Sequence, residues 1–252
     1  MSLKLGKDPA DRFRKLEKAL LMLRFFWRFP RSHGAWPKYE YIKPWIADLN
    51  PAAVVDVEVN MGQFLHLARK LWPDAVIIGV EPTPDLCRRM EEIYQGDARV
   101  VMHQCAAGDE TGEAEFFITR NHQNSSLLPP SDSFGDDRPD DGVVAREKVQ
   151  VRRCDDLLEG DDGPFFVKID VQGAELEVLK GFGPRIVDVA TIVIEAPFEK
   201  AYEGASDFDA IYRYLSERGF AYEGALGTLT SPATGRVRQE DAVFVRKEAQ
   251  PG

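Results

Sequence analysis

Short apolar runs alternate with helical stripes along most of this chain. Val54, Val55, Val57 and Val59 make the first run, which predicts a buried strand closed by the polar Asn60 and by Gly62. Phe64, Leu65, Leu67, Ala68 and Leu71 then recur at helical spacing as far as Trp72-Pro73, where proline stops the helix, and 75–80 is a second buried run. Strand, helix and strand of these lengths predict a βαβ unit, with parallel strands whose C-terminal ends gather on one edge. The alternation continues with a helix from Pro82-Thr83-Pro84-Asp85 through Leu86, Met90 and Ile93, a strand over 100–107, and strand-like runs at 115–119 and 149–153. A buried strand over 165–170 leads through Gly173 and Ala174 into a helix that stops at Gly181, and 191–195 repeats the strand. A helix over 207–218 and a strand pair at 220–224 and 242–245 complete an α/β pattern that predicts a single sheet.

The strands end on acids. Asp56 and Asn60, then Glu81, Asp170 and Glu195, follow four of the apolar runs, and parallel topology puts all of them on one edge, where open α/β sheets bind ligands. Any one acid here is as readily a helix cap as a functional group, but the four together point to a site. Glu81, at the end of the second strand, stands where a carboxylate grips the hydroxyls of a nucleoside ribose. A nicotinamide oxidoreductase would use the same frame but wants G-x-G-x-x-G after the first strand, and Glu58, Asn60 and Gln63 stand there instead.

Charge divides the chain unevenly. The net charge is −10, which argues against nucleic-acid binding, yet residues 1–43 carry 11 Lys/Arg against 4 Asp/Glu. Within that segment Phe13, Leu16, Ala19, Leu20 and Leu23 form one face of a basic amphipathic helix over 11–29, expected to pack on protein rather than on a membrane. Residues 30–52 read as a Pro-punctuated connection, which sets an expected boundary between an extension over 1–50 and a main domain over 51–252. The acidic, Pro/Gly-rich stretch 129–142 reads as a mobile lid or exposed loop. Cys87, Cys105 and Cys154 form no C-x-x-C pair, no apolar run reaches the length of a membrane span, and the start lacks a signal peptide pattern, so a cytoplasmic location is expected.

The strings DVEVNMGQF at 56–64, IGVEPTP at 78–84, NSSLL at 124–128 and KIDVQGAELEVLKG at 168–181 resemble the FkbM family of S-adenosylmethionine-dependent methyltransferases. The resemblance implies a class I methyltransferase (Rossmann-like) fold: a mostly parallel sheet of seven strands, helices on both faces and an antiparallel hairpin at one edge. It further implies methyl transfer to a hydroxyl of a carbohydrate or secondary metabolite. In that frame Asp56, Asn60 and Gly62 form the loop beside the methionine moiety, Glu81 binds the ribose, Gln104 and Ala106 flank the adenine, and Asp170 lies near the transferring methyl. One departure stands out: Glu58 and Val59 occupy positions where the family has Gly-Ala. Glu58 is expected to turn outward and pair with a base or with the ammonium of the methionine moiety. The alternative is a non-catalytic binding or scaffold protein with an impaired cofactor loop.

Attack by a hydroxyl needs a proton acceptor, with Asp170 the first candidate and Glu195 the second. Ser125 and Ser126 are candidate donors to a polyol, or ordinary turn residues, and Glu175 either complements a helix dipole or orients substrate. Lys168 shares a strand face with Asp170 and is expected to pair with an acid. Asp170 and Glu195 lack a third ligand, so no metal is expected. A homo-oligomer is possible from the aromatic-rich 36–45 stretch.

Overall fold

The computed structural model describes residues 44–132, 134, 140–231 and 234–247. The basic helix over 11–29 and most of the Pro-punctuated connection lie outside the described residues. A short α1 (Pro44–Ala47) precedes β1 (Ala53–Val57), in which all five residues are buried. α2 (Gln63–Leu71) and β2 (Val76–Val80) complete the expected βαβ unit, and α3 (Pro84–Ile93), opened by a proline that needs no N–H there, leads to β3 (Val100–His103).

The apolar run 100–107 does not stay in one strand. After His103 the Cys105 N–H folds back onto the His103 carbonyl (3.0 Å), and Ala106 and Ala107 become β4, paired with β6 (Val143–Arg152). β5 (Gly112–Thr119) joins β6 antiparallel, so a second, three-stranded sheet forms in addition to the main sheet expected. Its length was hidden because residues 143–148 of β6 are exposed, and only Val149 and Val151 carry the apolar alternation.

α4 (Cys154–Leu157) precedes β7 (Phe165–Ile169), which pairs parallel with β1 on the side away from β2. α5 (Glu175–Gly181) leads by way of a 3-10 helix to β8 (Val189–Pro197), parallel to β7. α6 (Phe208–Glu217), capped by Asp207 through the Ala210 N–H, is followed by β9 (Phe220–Thr230) and β10 (Val237–Arg246), with β10 antiparallel to both β8 and β9. The main sheet therefore runs β3-β2-β1-β7-β8-β10-β9. The chain order reverses between β1 and β7, and that is where such sheets open a crevice.

Alternate residues of the central strands face opposite layers. Val55, Val57, Val167, Ile169, Ile192 and Ile194 pack with Val178, Leu179, Ile211 and Leu215 of α5 and α6. Phe166 points the other way, stacked on Phe64 of α2 at 5.9 Å and beside Trp72 at 4.8 Å. With helices on both faces, the strand ends between β2 and β8 are left to carry the site.

The described part of the 129–142 stretch is tied down rather than free. Ser131 N–H donates to the Ala201 carbonyl (2.9 Å), Glu203 N–H donates to that of Pro129 (2.9 Å), and Phe134 is buried against the Tyr202 ring at 5.4 Å. The sequence offered acidic turn residues and hid the one aromatic anchor among them. Residues 133 and 135–139 of that stretch lie outside the described residues.

Candidate active site

The end of β1 carries a buried charge arrangement. Asp56 is fully buried and lies across from Lys168 in the β1–β7 register. The Lys168 ammonium sits 3.5 Å from Asp56 Oδ1 and 3.8 Å from Asp170 Oδ2, and donates to the Glu58 carbonyl (3.2 Å). Burial outweighs Lys168 and lifts the Asp56 carboxyl to about 6.

Beyond Asp56 the backbone leaves the sheet in a left-handed turn, with φ of 64° at Glu58 and 53° at Asn60. The N–H groups of Glu58 and Val59 both donate to the Val80 carbonyl (2.9 and 3.1 Å). Glu58 therefore adopts a conformation that glycine would take freely, at a cost of about 1 kcal/mol for a residue with a Cβ. Gly62 (φ 78°) stands in the left-handed region that favours glycine, and a Cβ there would press on the Met90 side chain. Glu81, 1% exposed, ties the loop to the end of β2, accepting from the Asn60 N–H (2.7 Å) and the Thr83 N–H (2.8 Å). Burial raises its pKa, and the two N–H groups oppose the rise.

A narrow cleft opens beside this loop, lined by Glu58, Val80, Pro82, Cys105, Ala106 and Val171 among others. The outward position expected of Glu58 is corrected here. Only 7% of the residue is exposed, its side chain lines the cleft, and its carboxyl makes no hydrogen bond to a described residue. The loop conformation aims the Cβ inward, which no pattern of apolar residues reveals. Burial, then the neighbouring charges of Glu81, Asp170 and Glu175, hold its pKa well above the carboxylate range, against Lys168. Gln104 is exposed and outside the lining, so the small residues that flank a flat ring are Cys105, Ala106 and Ala107.

A second cluster lies at the ends of β7 and β8. Gln172, at φ 57°, inserts its amide Nε2 between Asp170 Oδ1 (2.8 Å) and Glu195 Oε1 (2.9 Å). Its Oε1 accepts from the Tyr202 hydroxyl (3.1 Å), and Gln239 Nε2 donates to Glu195 Oε2 (2.6 Å). The two expected catalytic carboxylates are thus brought together and held apart by one amide. Asp170 has the more open side chain, 16% exposed. Gln172, Tyr202 and Gln239 were missed in the sequence. Gln172 lay inside a recognised motif, but Tyr202 and Gln239 sit where no periodicity marks them.

Three of the expected substrate residues make contacts within the chain. Ser126 Oγ donates to the Gln172 carbonyl (2.7 Å) and accepts from the Leu128 N–H (2.9 Å), while Ser125 Oγ accepts from the Thr119 N–H (3.2 Å); both serines are buried. Glu175 is fully buried, with both carboxylate oxygens 3.0 Å from the Gly173 N–H that donates to them, and burial lifts it to about 7. Ser126 and Glu175 close the turn on which Asp170 and Gln172 stand, and Ser125 ties its loop to the end of β5.

The strand order, the reversal between β1 and β7 and the carboxylate at the end of β2 define a class I methyltransferase domain. The methyltransferase FkbM domain matches residues 56–222, and the chain belongs to that family of S-adenosylmethionine-dependent enzymes. It is 25% identical over 193 residues to methyltransferase sdnD of Sordaria araneosa, covering 66% of this chain and 73% of that one. It is 26% identical over 185 residues to methyltransferase 1 of Beauveria bassiana (strain ARSEF 2860), covering 67% and 72%. Among solved structures, fibrillarin of Aeropyrum pernix shares 11% identity over 83% of this chain and 76% of that one, with a TM-score of 0.45, too distant to add to the strand order.

The residues present fit the donor. Asn60 Oδ1 and Gln63 Nε2 are buried without a hydrogen-bond partner among the described residues, beside an Asp56 whose buried carboxylate is met by the Lys168 ammonium, and unpartnered buried polar atoms on this loop suit a polar ligand. Cys105, Ala106 and Ala107 leave a wall without bulk, and Glu58 brings the one carboxylic acid among the described lining residues.

Proposed function

We propose that this protein transfers the methyl group of S-adenosylmethionine to a hydroxyl oxygen of a small acceptor, a carbohydrate or secondary metabolite. The observation that carries this reading is the pairing of Asp170 and Glu195 through Gln172 at the strand ends beside the donor cleft. Asp56, Asn60, Gly62 and Glu81 would hold the donor, with Ala106 against its base, and the donor would supply an electrophilic methyl on a cationic sulfur. This chain's task is then to align the hydroxyl and take its proton. Asp170 Oδ1 is held by Gln172, and Oδ2 lies 3.8 Å from the Lys168 ammonium that stabilises the carboxylate. Glu195, bound through both oxygens, serves as the second candidate and fixes Gln172. We place this domain at 51–252, with 1–50 as an extension.

The full-length protein, incubated with methyl-labelled S-adenosylmethionine and a panel of polyols, sugars and hydroxylated metabolites, should yield an O-methyl ether, identified by NMR. Label on nitrogen or carbon would overturn the oxygen assignment. The Glu58 carboxyl inside the cleft favours a second reading, a binding protein on a methyltransferase fold. Its signature is donor binding or none, with no label in any acceptor.

A further inference from the structure

We propose that Glu58 makes the donor site selective for the positively charged sulfonium donor over the neutral thioether that methyl transfer leaves behind. This rests on the donor reading above and adds a property to that same site. The Glu58 backbone is pinned by the Val80 carbonyl on one side and by Lys168 on the other, and the residue lines the cleft with its carboxyl buried among the charges of Glu81, Asp170, Glu175 and Lys168. Among the described residues lining the cleft, Glu58 is the one carboxylic acid; the others are apolar except for the Cys105 thiol. In so small and apolar a space the charge of a bound molecule is felt strongly, since water cannot screen it.

The charged groups around Glu58 share one bias. Asp56 comes from β1, Glu81 from the end of β2, Lys168 and Asp170 from β7 and its end, and Glu175 from α5. That is a single described cation among acids, and its ammonium already contacts the Glu58 carbonyl, Asp56 and Asp170. Such a surrounding rewards a cation and offers nothing extra to a neutral ligand. Transfer leaves the S–C bonding pair on sulfur, so the charge disappears with the methyl group and the attraction disappears with it.

A proton balance follows. Burial and like charge hold the Glu58 carboxyl protonated in the donor-free protein well above the ordinary range. A cation beside it favours the carboxylate, so uptake of the sulfonium releases a proton, whereas uptake of the thioether leaves it in place.

Calorimetric titration of the full-length protein with S-adenosylmethionine and with S-adenosylhomocysteine tests this. It would be run at about pH 6, 7 and 8 in two buffers of different ionisation enthalpy, on the parent, Glu58→Gln and Glu58→Gly. The parent should bind the sulfonium at least about tenfold more tightly than the thioether near pH 8, a difference of about 1.4 kcal/mol. The ratio should shrink toward pH 6, with proton release seen for the sulfonium alone. Glu58→Gln, neutral and of the same size, should bring the ratio close to that of Glu58→Gly and abolish the proton release. A ratio and proton release unchanged in Glu58→Gln would overturn the proposal. Binding of both ligands by Glu58→Gly and of neither by the parent would also overturn it, making Glu58 a block rather than a selector. Failure of every form to bind either ligand would instead overturn the donor reading beneath it.

Discussion

Glu58 and Gln172 are built alike and treated differently. Each follows the end of a central parallel strand, each is non-glycine at positive φ (64° and 57°), and each is buried beside carboxylates. Gln172 is compensated: its Nε2 donates to two acids and its Oε1 accepts from Tyr202. Glu58 has no such partner among the described residues and faces groups of its own sign. Equal backbone strain therefore has two meanings here. At Gln172 it is held by the network that positions the carboxylates, and at Glu58 it is left for a ligand to relieve.

The largest effect expected on this pair of regions is catalytic. Asp170→Asn keeps the Gln172 contact geometry but removes the proton acceptor, and should lower the single-turnover rate by about 10²–10³-fold while donor affinity stays within about twofold. Rate and affinity measured together separate the two regions, and a loss of affinity as large as the loss of rate would erase the distinction.

Next in size, Glu81→Ala strips the acceptor from two N–H groups, those of Asn60 and Thr83, and should cost about 2–4 kcal/mol in urea unfolding. A cost below about 0.5 kcal/mol would mean that the loop does not depend on this tie.

The sharpest contrast uses one substitution at both sites. Gln172→Gly relieves strain but leaves Asp170 and Glu195 unbridged, and should destabilise by about 1–2 kcal/mol. Glu58→Gly relieves the same strain and removes an uncompensated carboxyl, and should stabilise by about 1 kcal/mol. Melting curves of the two variants should move in opposite directions, and movement in the same direction would break the comparison.

A smaller trend concerns pH. The folded pKa values of Asp56 (about 6) and Glu175 (about 7) lie above their ordinary values of 3.8 and 4.5. The folded protein thus binds more protons than the unfolded chain between these limits, so stability contributed by these groups is full below about pH 4 and declines as pH rises through 7. Glu58, raised in the same sense, adds to the decline. Unfolding free energies at about pH 5 and pH 8 should differ less in Asp56→Asn than in the parent by on the order of 2 kcal/mol. An unchanged difference would remove Asp56 from the account.

Much of this frame was legible before any coordinates. β1, α2 and β2 declared themselves through period and proline, because burial on both faces demands long apolar runs and those runs are visible. Acids at strand ends were legible for the same reason, since parallel topology converts sequence position into an edge. The second sheet was not, because residues 143–148 of β6 are exposed and break the alternation, with three apolar residues in a row followed by three charged ones. Nor was the direction of Glu58, which depends on a dihedral angle rather than on hydrophobicity. Ser125 and Ser126 show the converse: serines in a loop read equally as donors to substrate or to backbone, and only the Thr119, Leu128 and Gln172 contacts decide it.

A crystal structure of the parent protein soaked with S-adenosylmethionine would test the central claim most directly, because both regions meet at one ligand. The account predicts the ribose hydroxyls on Glu81, the base against Cys105–Ala107, the Glu58 carboxyl beside the sulfonium, and the Asp170–Gln172–Glu195 bridge unchanged. A donor bound elsewhere, or a sulfonium held away from the Glu58 carboxyl, would contradict it.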